Sequence, residues 1–322
     1  MLNAKSVIGI FKPEYMFRPQ QIVLKFSREL RGRREELKVA RLPWGLKLRV
    51  NTGESIGWSV YTRAIYETAV TETLWRLAEP GDLVVDGGAN IGYMTSLLAV
   101  RVGRLGKVMS FEPHPGIFSH LQRNVNSWKN EGLPGRVELF QAALGDTNGL
   151  VELHTPSFFS KNAGTSWVGE DSRGLEGTCQ RVPARTLDSI IPEGQEVGLV
   201  KLDVEGSELT VMKGMQSLLV GHRVKHVVFE EWGAFPATTH QFLSGLGYTV
   251  YGIELWFGGI RFLRDREPRY DPMNGPPPNY LATVESSQTL ERIESQFWQC
   301  FGPLNFLRKM VAPLGTRFAV RS

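Results

Sequence analysis

The fold is decided by residues 82–93, which read Asp-Leu-Val-Val-Asp-Gly-Gly-Ala-Asn-Ile-Gly-Tyr. An apolar run ends in an acid, Asp86, and is followed by small residues and then by a helical apolar pattern from Ile91. Glycine lets the backbone turn sharply and approach a ligand closely. The first amides of a helix after such a turn point into the crevice beside it. The stretch therefore predicts a strand, a tight turn and a helix at the ligand-binding edge of a parallel sheet.

Short apolar runs alternate with helical patterns from about residue 64 onward, which is typical of a parallel sheet with crossover helices. Strands are predicted at 83–85, 108–111, 137–141, 197–204, 226–229 and 248–255, with a late antiparallel strand at 280–284. The gap at 142–196 is too long for one connection, so a β insertion is expected at about 147–186. The predicted organisation is a basic helical arm (1–60), one domain (61–285) and a C-terminal helical tail (286–322).

The turn after the first strand disfavours one large class of cofactor. A dinucleotide fingerprint reads Gly-x-Gly-x-x-Gly, and the spacing of Gly87, Gly88 and Gly92 does not fit it. The carboxylate of Asp86 would repel a pyrophosphate, which argues against a nicotinamide oxidoreductase. The same carboxylate suits a cofactor with positive charge or hydrogen-bond donors, such as the ammonium and sulfonium groups of S-adenosylmethionine. The alternative is a tight turn in which Asp86 is only structural.

A second acid, Glu112, ends the next predicted strand, 26 residues after Asp86. An acid at this position accepts hydrogen bonds from both hydroxyls of a ribose. Ala142 follows the third strand and leaves room for an adenine, although a simple strand-to-turn transition explains a small residue there equally well. Together, Asp86 and Glu112 predict nucleoside binding.

The fourth predicted strand is unusual because Lys201, Asp203 and Glu205 recur on one face at a spacing of two. Ionisable groups on a buried strand are costly unless they are paired or functional. Lys201 is expected to pair with Asp203. Burial and mutual repulsion are expected to raise the pKa of Asp203 or Glu205, which would make one of them a general base for a hydroxyl. We therefore predict catalytic roles for these three residues.

The fifth predicted strand is followed by Glu230, Glu231 and Trp232, which we expect to line an acceptor pocket. These acids, with Asp203 and Glu205, offer oxygen ligands for a divalent cation. No histidine or Asn/Asp pair completes an obvious shell, so no metal is predicted. The six histidines are scattered and are interpreted as surface or core residues.

Composition and charge narrow the class of protein further. No apolar run approaches the ~18 residues that span a bilayer, the N-terminus lacks a secretory pattern, and two cysteines fit a reducing cytoplasm. Residues 1–50 hold 12 Lys and Arg against 4 Asp and Glu, while the remainder holds 25 against 29. The segment 18–40 is predicted to be a charged helix that packs over the main domain through five apolar residues, Ile22, Val23, Leu24, Phe26 and Leu30. The alternative is that this segment contacts an anionic surface or takes part in substrate recognition.

The chain resembles the FkbM family of class I S-adenosylmethionine-dependent methyltransferases over about residues 60–285. The matching segments are Tyr66-Glu67, Pro80-Gly81-Asp82, Val85 to Tyr93, Phe111 to Pro115, Arg123-Asn124, Ala143 to Asp146, Arg185 to Asp188, Val200 to Glu208 and Met212-Lys213-Gly214. The segment from Lys201 to Glu208 is the most specific of these. At His114 the chain departs from the asparagine that is common in the family.

The resemblance implies a Rossmann-like α/β fold with helices on both faces of a seven-stranded sheet, six strands parallel and the last antiparallel. It implies transfer of a methyl group to a hydroxyl oxygen of a sugar, glycan or other natural product. The implied cofactor-binding residues are Asp86, Gly87, Gly88, Ala89, Asn90, Gly92, Glu112, Ala142 and Asp203. Asp203 and Glu205 would face the methyl group and the acceptor.

Two other functions remain open from the residues. One is a non-catalytic nucleoside-binding module, which the presence of Asp86, Glu112 and Asp203 disfavours. The other is a nucleic-acid methyltransferase, which usually has an aromatic residue with an Asn/Asp-Pro-Pro motif where this chain reads Asp203-Val204-Glu205-Gly206. No nucleic-acid partner is expected. The patterns leave the acceptor and the oligomeric state open.

Overall fold

The computed structural model describes residues 22–23, 26–27, 30, 35–133, 135–157, 165–169, 176–233, 235–256, 259–264, 267–268, 278–294 and 297–301. The strands are β1 (Leu37–Arg41), β2 (Lys47–Asn51), β3 (Leu83–Gly87), β4 (Lys107–Phe111), β5 (Arg136–Phe140), β6 (Ala143–Leu144), β7 (Gly149–Pro156), β8 (Trp167–Val168), β9 (Gly177–Arg185), β10 (Val197–Leu202), β11 (Val224–Glu230), β12 (Thr249–Trp256), β13 (Gly259–Arg264) and β14 (Asn279–Thr283). The helices are α1 (Ser55–Arg63), α2 (Thr68–Leu77), α3 (Tyr93–Val102), α4 (Pro115–Asn130), α5 (Leu187–Ile190), α6 (Glu208–Lys213), α7 (Gln216–Val220), α8 (Thr238–Gly245) and α9 (Ser287–Glu294).

The central sheet has the strand order β13-β12-β14-β11-β10-β3-β4-β5. The neighbours from β11 to β5 are parallel, and β14 lies antiparallel between β11 and β12. Six strands therefore share one direction and β14 opposes them, so the expected α/β class is confirmed. An eighth strand, β13, pairs antiparallel with β12 at the edge and was not predicted. The strand order reverses between β3 and β10, which is where open α/β sheets bind ligands.

Two apolar layers cover the sheet because successive side chains of a strand point to opposite faces. Val84 and Val108 belong to one layer, while Val85 and Met109 belong to the other. Helices α2, α3 and α4 pack on the first face, and α5, α6, α7 and α8 pack on the second. The two layers hold β3 and β10 rigidly, so the residues that follow these strands have fixed positions.

The insertion forms a separate four-stranded sheet with the order β6-β9-β7-β8. Strands β7 and β9 pair antiparallel from Gly149 opposite Ala184 to Pro156 opposite Gly177. They occupy the region where the sequence analysis expected additional strands. Strand β8 adds a short pairing with β7.

The described part of the N-terminal arm departs from the expected charged helix. Residues 22, 23, 26, 27 and 30 are helical, and Ile22 and Phe26 are half-buried. Val23 and Leu30, in contrast, are 70% and 89% exposed instead of packed on the main domain, and Leu24 lies outside the described residues. The helix expected over 18–40 does not extend through 37–40, because β1 and β2 form an antiparallel hairpin. Alternating side chains of β2, Leu48 and Val50, are buried in the first apolar layer. All six basic residues of 18–34 lie outside the described residues.

The C-terminal tail, expected to be helical over 286–322, is helical in α9, which ends at Glu294, and residues 297–301 are not helical. The backbone amides of Gln299 and Cys300 donate to Glu72 of α2 at 2.9 and 2.8 Å. Arg76, whose Nε lies 2.6 Å from Glu72 Oε1, donates to the carbonyl of Ile293. A buried ion pair on α2 therefore anchors the segment that follows α9. Among the described helices, none has the length and apolarity that crossing a bilayer requires.

Candidate active site

A cavity of about 220 Å³ opens at the carboxyl ends of β3, β4, β10 and β11. Its floor is formed by the loops that follow these strands, and part of its wall comes from the insertion sheet. The predicted site residues that line it are Gly88, Ala89, Asn90, Glu112, Ala142, Lys201, Asp203, Glu205, Glu230 and Trp232. Of the predicted residues, Asp86, Gly87, Gly92 and Glu231 do not line it. The sheet thus brings together most of the predicted site residues.

The glycine turn after β3 is required by steric constraints. Gly88 has a φ of +72°, and a Cβ there would lie 1.9 Å from the carbonyl oxygen of Asp203. Gly92 has a φ of +95°, and its Cβ would lie 2.7 Å from Leu121 Cδ1. Asn90 adopts a φ of 49° and accepts the amide of Ile91 through its own Oδ1 at 2.8 Å. A side chain at Gly88 or Gly92 would therefore collide with its neighbours, and glycine at these positions lets the backbone of the turn form part of the cavity wall.

Asp86 lies behind the cavity, fully buried on β3. Its Oδ2 accepts the hydroxyl of Thr95 at 2.6 Å, and its Oδ1 lies 3.5 Å from Lys201 Nζ. Strands β3 and β10 are paired with Asp86 opposite Lys201, which explains this contact. Asp86 does not line the cavity itself, but it helps to hold the ammonium of Lys201, which does.

Lys201 ties the glycine turn to the loop after β10. Its ammonium donates to the carbonyls of Gly87 and Gly88 at 3.4 and 3.1 Å and to Asp203 Oδ2 at 3.3 Å. Burial opposes its charge, but Asp203 and Asp86, with other acids nearby, raise the pKa of Lys201 above its ordinary value. Lys201 therefore stays charged near neutral pH and serves as a fixed cation, not as a base.

Glu112 follows β4 at the cavity wall. Its two carboxylate oxygens accept the backbone amides of Asn90 at 3.0 Å and His114 at 2.9 Å. Burial raises the pKa of Glu112 to about 7, although these hydrogen bonds lower it. His114 caps α4, since its Nδ1 accepts the amide of Ile117 at 3.3 Å. The backbone of the turn thus fixes the carboxylate of Glu112 beside the cavity.

Apolar residues line another part of the wall. Phe111, Ala142 and Leu144 line the cavity near the ends of β4 and β5. The ring of Phe111 stacks on Phe140 with centroids 4.5 Å apart and planes inclined by 9°. This part of the cavity offers flat apolar surface beside the carboxylate of Glu112.

A group of acids, here called the acid cluster, consists of Glu67, Asp203, Glu205 and Glu230. β10 ends at Leu202, so the prediction that Asp203 and Glu205 lie on the strand is wrong. They lie in a loop in which Glu205 has a φ of 55°. The loop is held by Glu208, whose Oε1 accepts the amides of Val204 and Gly206 at 3.1 and 3.4 Å.

Burial and repulsion raise the pKa values of two acids in the acid cluster. Burial, followed by repulsion from Asp203 and Glu67, raises the pKa of Glu230 to about 10. Burial and repulsion from Asp203 raise the pKa of Glu67 to about 7, against the attraction of Lys201. Glu230 is therefore protonated near neutral pH, and Glu67 exchanges a proton there.

Glu67 is a site residue that the sequence patterns did not indicate. It precedes α2 with a φ of 42° and reaches the cavity beside Tyr66. The Tyr66-Glu67 pair was part of the family resemblance, which was the available signal. Leu153, Ser166 and Val168 were also missed, and they place the insertion sheet against the cavity.

Glu231 points away from the cavity, in contrast to the predicted acceptor contact. Its Oε1 accepts the amide of Gly233 at 2.7 Å, and its Oε2 accepts the hydroxyl of Thr239. Trp232 is 60% exposed at the cavity edge. Of Glu230, which ends β11, and the two residues that follow it, only Glu230 and Trp232 meet the cavity.

Comparisons with known proteins show which proteins this chain is similar to. The sequence model of the family described as the methyltransferase FkbM domain matches residues 86–250. Methyltransferase sdnD of Sordaria araneosa is 29% identical over 199 residues, which cover 52% of this chain and 74% of that protein. The hexuronic acid methyltransferase AglP of Haloferax volcanii is 29% identical over 181 residues, which cover 55% of this chain and 68% of that protein.

Among solved structures, the methyltransferase FkbM of Methylobacillus flagellatus aligns with a TM-score of 0.40 at 14% identity. The alignment covers 70% of this chain and about half, 52%, of that one. The family match itself extends over just over half of the 322 residues and includes the glycine turn, Glu112 and the acid loop after β10. The chain therefore belongs to the FkbM family of methyltransferases.

Proposed function

We propose that this chain transfers a methyl group from S-adenosylmethionine to a hydroxyl oxygen of a sugar, glycan or other natural product. The observation that supports this most strongly is that a single cavity is lined by both Glu112 and the acids Asp203 and Glu205. The carboxylate of Glu112 suits the ribose of a nucleoside. The carboxylates of Asp203 and Glu205 suit an acceptor hydroxyl that must lose its proton. Membership of the family supports methyl transfer. That the acceptor atom is an oxygen is our inference.

The chemistry of the lining fits this cofactor. Among the described lining residues, Lys201 is the only Lys or Arg, and its ammonium is engaged by two carbonyls and Asp203. The surface is therefore rich in acceptors, which suits ribose hydroxyls and an ammonium group and repels a pyrophosphate. When bound, S-adenosylmethionine supplies an electrophilic methyl group on a sulfonium. Glu112 would hold the ribose, with Phe111 and Ala142 beside the adenine.

The chain's own contribution to the reaction is alignment and removal of a proton. A fixed cavity that excludes water supplies much of the acceleration by holding the two reacting centres in line. The acceptor oxygen forms a bond to the methyl carbon as the carbon–sulfur bond breaks, and the hydroxyl proton passes to a carboxylate. Asp203 and Glu205 are the proposed bases, and Glu67, with its pKa of about 7, is a third.

The acid cluster also restricts the acceptor. An acceptor that carries a carboxylate close to its reacting hydroxyl would be repelled by Glu67, Asp203 and Glu205. Glu230, protonated near neutral pH, can donate a hydrogen bond to a neutral oxygen. The proposed acceptor therefore presents an uncharged hydroxyl-bearing group to this cluster, and Trp232 offers exposed aromatic surface for stacking on it.

The test is methyl transfer from isotopically labelled S-adenosylmethionine to neutral glycosides, glucuronides and polyketide alcohols, with the product identified by NMR. We expect a methyl ether on a neutral acceptor. Asp203→Asn, Glu205→Gln and Glu67→Gln are compared, and loss of the base should lower kcat by roughly 10²–10⁴-fold. Full rates in all three variants would remove the proposed bases. A product methylated on nitrogen, salt-sensitive labelling of RNA, or cofactor binding without turnover would each contradict the proposal.

A further inference from the structure

Three side chains with metal-binding atoms converge on the insertion sheet, away from the cavity. Glu152 and His154 lie two residues apart on β7, so they share one face of the strand. Cys179 of β9 is directly opposite His154 in the antiparallel register. His154 Nε2 lies 3.9 Å from Glu152 Oε2 and 4.0 Å from Cys179 Sγ. All three ligand atoms lie within 4.8 Å of one another.

These separations are close to those that a single tetrahedral ion imposes. With zinc–sulfur and zinc–nitrogen bonds of about 2.3 and 2.0 Å, two ligand atoms are about 3.5 Å apart. The difference from about 3.5 Å is a few tenths of an ångström for the two pairs that include His154 and at most about 1.3 Å for Glu152 and Cys179. Rotations of the exposed Glu152 and Cys179 side chains can close both gaps. A thiolate, an imidazole and a carboxylate are also the ligand types that zinc accepts. We propose that Glu152, His154 and Cys179 bind Zn²⁺, with water as the fourth ligand.

The histidine of this site is already oriented. His154 is about nine-tenths buried and stacks on Trp167 of β8, with ring centroids 5.4 Å apart and planes inclined by 14°. The same two residues face each other in the β7–β8 pairing. Because the imidazole is held by the stacked ring, binding the ion costs little side-chain entropy at this ligand. The ion would join β7 to β9 and, through Trp167, to β8.

The position of the site indicates a structural role. Leu153, between Glu152 and His154 on β7, lines the active-site cavity, so the two ligands point to the other face of the sheet. Val168 of β8 lines the cavity as well. The ion therefore stabilises the wall of the cavity from behind and takes no part in methyl transfer. It adds to stability by mass action, because a metal that binds the folded chain raises the unfolding temperature.

The experiment uses the full chain without an affinity tag, treated with a chelator and titrated with Co²⁺ and then Zn²⁺. We expect one equivalent of Co²⁺ to give a sulfur-to-cobalt charge-transfer band that Zn²⁺ abolishes. Cys179→Ser should remove the band, and both Cys179→Ser and Glu152→Gln should weaken Zn²⁺ binding by at least roughly tenfold, since even outer-shell changes cost that much. Both residues are exposed, so neither change should prevent folding.

Glu193→Gln, at an exposed acid before β10, is the matched control and should bind Zn²⁺ like the wild type. The unfolding temperature should rise with Zn²⁺ in the wild type and the control but not in Cys179→Ser. No band and no binding in the wild type would overturn the proposal and leave only a His–Glu–Cys contact. A band that survives in Cys179→Ser would place the metal elsewhere.

Discussion

At the scale of the residue, Gly88 is a position where a side chain has no space. A Cβ would lie 1.9 Å from a backbone oxygen, and the φ is +72°. We expect Gly88→Ala to lower the free energy of unfolding by at least about 2 kcal/mol. Gly81 is the matched control, because its φ is +96° but no atom lies within 4 Å of its Cβ. Gly81→Ala should cost only about 1 kcal/mol, and equal losses in urea unfolding would contradict the steric account.

The raised pKa of Glu230 predicts how the free energy of unfolding depends on pH. Its pKa is raised to about 10 from an ordinary value of 4.5, so the folded chain holds a proton that the unfolded chain releases. The stability that this proton provides is lost as the pH rises from about 5 to 10. Glu230→Gln should remove this loss, and its advantage over the wild type should grow by up to about 1.4 kcal/mol for each pH unit. Urea unfolding at pH 6 and pH 8 measures it, and an advantage equal at both values would contradict the assignment.

Site residues that are close to one another in the sequence could be predicted from the sequence. Lys201 and Asp203 are two positions apart, and the expected pairing is present at 3.3 Å. Glu67 could not be selected in this way, because its approach to Asp203 depends on how α2 docks on the sheet. The raised pKa values of Glu67 and Glu230 arise from burial and then from repulsion between acids that the tertiary arrangement brings together, and local sequence encodes neither.

At the scale of the element, α2 connects the active site with the C-terminal segment. Its N-cap is Glu67, and its buried Glu72 accepts the amides of Gln299 and Cys300. We expect Glu72→Ala to leave Arg76 buried without its carboxylate and to lower the free energy of unfolding by about 3–5 kcal/mol. The amides of Gln299 and Cys300 should then exchange hydrogen faster.

The control for this prediction is Glu79→Gln, which removes an exposed partner of Lys225 at 3.6 Å. A surface ion pair contributes about 0–1 kcal/mol, so this variant should be close to the wild type and keep slow exchange at both amides. Slow exchange in Glu72→Ala would show that the segment is anchored by its apolar contacts alone.

The elements of the central sheet were predicted well because buried parallel strands are short, continuous apolar runs. Two errors came from half-buried strands. In β2 the apolar Leu48 and Val50 alternate with Lys47 and Arg49, and the charges of this region favoured a helical interpretation. In β13, Arg261 and Arg264 interrupt the apolar residues, so the strand is defined mainly by its pairing with β12.

At the scale of the whole molecule, acidic side chains partly neutralise the excess of basic residues in the N-terminal arm, as far as the described residues show. Lys38 pairs with Glu36, and Lys47 lies 3.3 Å from Glu131 of the loop after α4. Asn124 of α4 accepts the amide of Arg49 at 3.0 Å and donates to the carbonyl of Ile91 at 2.8 Å. One side chain thus connects the hairpin to the glycine turn, so the hairpin is part of the structure that positions the site.

The central claim is that this cavity binds S-adenosylmethionine through Glu112. Calorimetric titration of the full chain with S-adenosylmethionine tests it most directly, with Glu112→Ala as the variant and Glu196→Ala, at an exposed acid before β10, as the control. A hydrogen bond to a charged group contributes about 1.5–3 kcal/mol, so Glu112→Ala should weaken binding by roughly 10- to 150-fold, while the control binds like the wild type. Unchanged affinity in Glu112→Ala, or no binding by the wild type, would contradict the account.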